Sequence, residues 1–154
     1  MGGIFISRNN IIFIFIIVIL LSLLAVFAFN SISDNNVDYS VDDIGGYTFN
    51  IPDFLKFESE ERLDNGEAKL YSDGNVNLGI IIEKDVNYTI NDTLEDYNTT
   101  NYTKLKIGDL KVYKTQENSF TGYFFKINND IIQITFGGAK NTDILVEEML
   151  KNIS

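Results

Sequence analysis

The sequence predicts an α+β protein: an N-terminal transmembrane helix, then an antiparallel-sheet domain with the order β-β-β-α-β-β-β-α. Three observations predict it. Ile11–Phe29 is a run of 19 residues in which Ser22 is the only polar side chain. Apolar and polar residues then alternate in period two over most of residues 67–136, the signature of half-buried strands. The chain closes on a stripe of apolar residues at helical spacing.

The apolar run comes first. At about 1.5 Å per residue it spans ~28 Å as a helix, close to the ~30 Å hydrocarbon thickness of a bilayer. Arg8 precedes it, and no Lys or Arg follows until Lys56, while Asp34, Asp38, Asp42 and Asp43 lie between. The positive-inside rule therefore places residues 1–10 in the cytoplasm and the rest outside the cell. The competing reading is a cleavable signal peptide with Val26 and Ala28 before the cut. The run is longer than the ~7–15 residues of a signal core, which favours an uncleaved anchor.

Residues 30–46 (NSISDNNVDYSVDDIGG) are polar and acidic, and read as an extended spacer. The extracytoplasmic domain, residues 47–154, begins with a strand at Tyr47–Ile51 that the single proline, Pro52, would end. Glu67–Ser72 and Val76–Glu83 flank Asp73-Gly74, a favoured hairpin turn, with Val76, Leu78, Ile80 and Ile82 on one face. Asp92-Thr93-Leu94-Glu95 has the form of a capping box with Asp92 as cap, predicting a short helix to about Thr99 with Leu94 and Tyr97 inward. Leu110–Gln116, Ser119–Ile127 and Asp130–Phe136 follow as hairpin-linked strands. Tyr123, Phe125 and Ile127 point inward on the second, and Ile132, Ile134 and Phe136 on the third. Gly137-Gly138 breaks the sheet. Asn141 then caps a helix burying Val146, Met149, Leu150 and Ile153, with Glu147, Glu148, Lys151 and Asn152 opposite.

Gly46-Tyr47-Thr48-Phe49-Asn50-Ile51-Pro52, followed by Phe54-Leu55-Lys56, resembles the opening of PsbP-like domains. Thr93–Tyr97 resembles that family's short mid-domain helix, Lys106–Leu110 its loop into the second half, and Phe124–Phe136 its closing hairpin before the C-terminal helix. The likeness covers about residues 45–153 and departs after Pro52, where many members carry Trp and this chain has Asp53-Phe54. It implies a small α/β/α sandwich of a kind that is mostly an accessory, assembly or binding module.

Composition narrows the chemistry. The chain has no Cys, His or Trp, which removes thiol catalysis, His-based triads, haem, iron–sulfur and ordinary zinc sites. Residues 31–154 carry a net charge of −11 against +1 for the head, so nucleic acid is an unsuitable partner. Asp34-Asn36-Asp38-Ser40-Asp42 and Asp73-Asn75-Asn77 alternate oxygen ligands, but both lack the Gly and Glu of a calcium loop and read as spacer and turn. Glu58, Glu60 and Glu61 read as a charged surface loop. Lys104, Lys106, Lys111 and Lys114 form the one basic cluster and read as relief of self-repulsion. No nucleotide or nucleophile motif occurs. The sequence thus predicts no catalytic residue, no cofactor and no metal.

The most specific pattern is N-x-S/T, at Asn87, Asn91, Asn98, Asn101 and Asn152, where composition predicts about two by chance. These are possible N-glycosylation sites. Tyr88, Tyr97 and Tyr102 lie among them, as an aromatic surface for a sugar or peptide would require. The expected function is a single-pass membrane protein, held in the lipid bilayer through Ile11 to Phe29. It displays a small non-catalytic interaction domain toward an unknown protein or surface partner. The alternatives are a secreted or tethered domain binding a sugar or peptide, and an extracytoplasmic hydrolase working with carboxylates alone.

Overall fold

A computed structural model describes residues 37–97 and 101–153. The apolar run, the head before it and Asn98 lie outside them. Among the described residues no helix is long and apolar enough to cross a membrane.

Seven strands form one antiparallel sheet. They are β3 (Lys56–Leu63), β4 (Gly66–Ser72), β5 (Asn77–Glu83), β6 (Tyr102–Ile107), β7 (Leu110–Glu117), β8 (Phe120–Ile127) and β9 (Asp130–Gly137). Their spatial order is β3-β4-β5-β9-β8-β7-β6. β1 (Tyr39–Ile44) and β2 (Tyr47–Pro52) make a separate hairpin, and α1 (Ile90–Asp96) and α2 (Thr142–Met149) are the helices. This is mostly antiparallel sheet with two helices, as expected, but five strands precede α1 and four follow it.

Period two builds the main core. Leu78, Ile80 and Ile82 of β5 stand opposite Phe136, Ile134 and Ile132 of β9, and all six are buried. Tyr123 and Phe125 extend the same face across β8. Leu145, Val146, Met149 and Leu150 at the C-terminal helix, with Tyr47, Phe49 and Ile51 of β2, cover it. Val146, Met149 and Leu150 are buried as the helical spacing predicts, and Ile153 packs half-buried beside them. Asn141 stands at the N-cap position in a left-handed conformation, but its side chain caps nothing.

The opposite face is not solvent. Phe124 and Ile131, the residues between the inward positions, pack with Val86, Ile90 and Leu94 into a second cluster around α1. The sheet therefore lies between two covering layers, which simple alternation does not reveal.

Four assignments are corrected. Tyr39–Ile44, read as spacer, pairs with β2 from Tyr39↔Pro52 to Ile44↔Tyr47. Its acids mask one buried anchor, Ile44, and Asp42 has protein partners rather than water alone. Glu58, Glu60 and Glu61 lie in β3, an edge strand that tolerates polar residues because it is exposed nearly throughout. Tyr102–Ile107 is likewise a strand, so the predicted loop shrinks to the turn between Ile107 and Leu110.

The fourth concerns α1, which begins three residues early. Thr89 is the cap: its hydroxyl accepts from the Asp92 N–H at 3.3 Å, and the Asp92 carboxylate accepts from the Thr89 N–H at 2.6 Å. That start turns Ile90 inward as well as Leu94. Thr89→Ala should lower stability by about 1 kcal/mol, read from the midpoint of urea unfolding, while Thr89→Ser should not. An unchanged Thr89→Ala midpoint would contradict this cap.

Gly66 shows how closely β4 and β5 approach. A Cβ there would lie 1.8 Å from the Ile82 carbonyl oxygen, so no larger residue fits without moving backbone.

Candidate functional site

Three carboxylates that join distant elements organise the polar side chains. Asp130, at the start of β9, accepts from the Tyr47 hydroxyl and the Lys84 ammonium, both at 2.7 Å, and from the Asp85 N–H at 2.9 Å. Burial alone would raise its carboxyl pKa, but these three donors outweigh it and hold the pKa below the usual value. Burial, and then the bond to Asp130, push the Tyr47 hydroxyl up to about 12. Lys84 lies 4.2 Å over the same ring.

Asp42 of β1 accepts from the Tyr71 hydroxyl at 2.6 Å and from the buried Lys69 ammonium at 3.1 Å. Glu67 and Glu60 stand 3.7 and 3.9 Å from that ammonium. Burial first, and then the Asp42 bond, raise the Tyr71 pKa. Asp143, in the first turn of α2, accepts from the Tyr123 hydroxyl at 2.5 Å and from Lys114 at 2.7 Å. Burial opposes its ionisation, and the bonds from Lys114 and Tyr123 outweigh it, leaving the pKa lowered. In these clusters the displaced carboxyls move down and the displaced tyrosines move up. These bonds tie β1 to β4, β9 to β2, and α2 to β7 and β8.

The residues singled out in the sequence are dispersed. Asn87, Asn91, Asn101 and Asn152 are exposed, with Asn91 on α1 and Asn101 just before β6. The Asn152 amide donates to Asn50 Oδ1 at 3.4 Å. Asp73 accepts from the N–H groups of Asn75 and Val76, forming an ordinary turn, and Asn77 is buried. Asp38, Ser40 and Asp42 lie on or just before β1, and no group of three potential ligands that could hold a metal occurs among the described residues.

The tyrosines divide. Tyr88 donates to Glu83, and Tyr97 donates to Gln133 at 2.6 Å; both rings pack against the cluster beneath α1. Tyr102 remains exposed on β6, tilted against Tyr113 of β7 with 5.5 Å between centroids. Lys104 sits 5.8 Å from the Tyr102 ring and 5.5 Å from the Tyr113 ring. Around the edge of β6, an open hollow of ≈ 280 Å³ is lined by Tyr102, Thr103, Leu105, Lys114, Gln116 and Asp143, with Asn101 at its rim.

The lysine cluster is thus divided too. Lys114 is neutralised by Asp143, and Lys106 reaches Asp109 at 3.8 Å. Lys106 and Lys111 stand directly opposite each other, a like-charge pair, and Lys104 and Lys111 are exposed. The tyrosine–lysine edge of β6 and β7 is the candidate site. Sequence reasoning saw its residues separately; the pairing of Lys104 with Tyr113 brings them together.

The fold and site define an α+β domain whose antiparallel sheet carries a helix on each face and a basic, aromatic edge. No family model matches the chain, and no curated protein does. Among solved structures it is similar to the cyanobacterial PsbP (CyanoP) of Synechocystis sp. PCC 6803. The two are 12% identical, with 81% of this chain and 97% of that one covered and a TM-score of 0.47.

Proposed function

We propose that this protein is a single-pass membrane protein displaying a small, non-catalytic, PsbP-like interaction domain outside the cell. The observation that carries the interaction reading is a contrast within the domain. Among the described residues no buried side-chain polar atom lacks a hydrogen-bond partner, whereas the β6–β7 edge keeps the exposed Tyr102 ring and exposed lysines beside an open hollow. The uniformly apolar run before an acidic flank supports the tether and its orientation.

Protease added to intact cells should remove residues beyond the spacer and leave the anchor in the membrane. A domain that stays protected until the cells are permeabilised would overturn the topology.

A ligand-binding reading is favoured by one arrangement, the exposed Tyr102 ring that lines the hollow, which suits stacking against a sugar or an aromatic side chain.

A further inference from the structure

We propose that the two outer edges of the seven-stranded sheet are complementary and join copies of this chain head to tail, β6 of one copy lying beside β3 of the next. The proposal rests on the interaction reading of the β6–β7 edge, for which it names a second copy as the partner, and is independent of the membrane reading.

Both strands are terminal in the sheet, so among the described residues neither has a partner on its outer side. A bare edge is a template for another strand. The six pairings between β3 and β6 are all antiparallel, which makes the two edge strands run in the same direction. A second copy added in the same orientation therefore continues the sheet through a parallel pair, with each face meeting its own kind.

Charge selects this pairing over the others. β6 presents Lys104 and Lys106, exposed, with the exposed Lys111 next to them on β7. The middle of β3 presents Glu58, Glu60 and Glu61, all exposed, while its basic residues, Lys56 and Arg62, stand toward its ends. Two β6 edges would set lysine against lysine, and two β3 edges glutamate against glutamate. Only the mixed contact attracts. It also gives Lys111, which stands against Lys106 within its own copy, a nearby acid. Register places Glu61 on the sheet face that carries Lys104 and Lys106.

The exposed apolar side chains on these edges take no part in the pairing: Phe57 of β3 lies on the face of Leu78 and Phe136, and Tyr102 of β6 on the opposite face, so the charges alone select the contact. Such a contact is heterologous and does not close on itself, so it yields runs of copies rather than a symmetric dimer.

The chain has no cysteine, which makes disulfide trapping clean. Full-length chains in detergent would carry Glu61→Cys with either Lys104→Cys or Lys106→Cys and be oxidised mildly. One of these double variants should give a ladder of covalent dimers, trimers and longer species. A mixture of the matching single variants should stop at dimers, and each single variant alone should stay monomeric. Dimers from a lone single variant, or no product from either double variant, would overturn the proposal. In the cysteine-free chain, Lys104→Glu with Lys106→Glu should weaken association about tenfold. Adding Glu58→Lys with Glu61→Lys should restore it; association insensitive to the first change, or not regained with the second, would also overturn it.

Discussion

Phe125→Ala should cost about 3–5 kcal/mol of unfolding free energy, among the largest losses any single side chain here would produce. Phe125 is 0% exposed on β8, opposite Ile132 of β9, with Tyr123 and Ile134 as the next pair along the same face. The helix and hairpin covering that face are anchored by their own contacts, so they cannot collapse fully into the space left behind. Denaturant unfolding of the chain without its apolar run would measure the loss. A cost under about 1 kcal/mol would mean that the ring is not in the core and that β8 pairs in another register.

Removing the Asp130 carboxylate should have the next largest effect, and one that depends on pH. Tyr47, Lys84 and the Asp85 N–H converge on it from β2 and from the segment after β5. Asp130→Ala strands a buried hydroxyl and a half-buried ammonium, at a cost of about 2–3 kcal/mol near neutrality. The folded state lowers the Asp130 pKa relative to an unfolded value near ~3.9. Its ionic contribution is therefore complete above that value and is lost as pH falls through the folded pKa. Asp143 behaves in the same sense. The stability gap between wild type and Asp130→Asn should accordingly narrow from pH 7 toward strongly acid solution. A gap of equal size at both ends would show that the charge on Asp130 contributes nothing.

Where one face of a strand is buried and the other polar, the chain announces it. Leu78, Ile80 and Ile82, or Ile132, Ile134 and Phe136, could be placed inward from spacing alone, and they are inward. Phe124 and Ile131 were illegible because α1 covers the second face just where alternation implies solvent. β1 and β3 escaped notice for the opposite reason. One is a two-strand hairpin with acids along it, the other a sheet edge, and neither needs an apolar stripe to pair its backbone. At α1 two overlapping signatures compete, Thr89-x-x-Asp92 and Asp92-x-x-Glu95. The first prevails because it gives Ile90 a buried position. Helical spacing already turns Tyr97 inward, but Tyr88 is indistinguishable from Tyr102 in sequence. Only the tertiary fold shows that Tyr88 packs against the α1 cluster while Tyr102 faces outward.

The strand order divides the sheet into two stretches that each fold back and forth on themselves, β3-β4-β5 and β6-β7-β8-β9. Within each, every contact closes a short loop, which is entropically cheap and fast. One seam, β5 with β9, joins them, and its partners, such as Ile82 and Ile132, are far apart along the chain. The connection through α1 is what keeps the two halves at a high effective concentration for each other. Severing the backbone in that connection would turn the seam into a bimolecular equilibrium, so that the integrity of the whole sheet would come to depend on dilution.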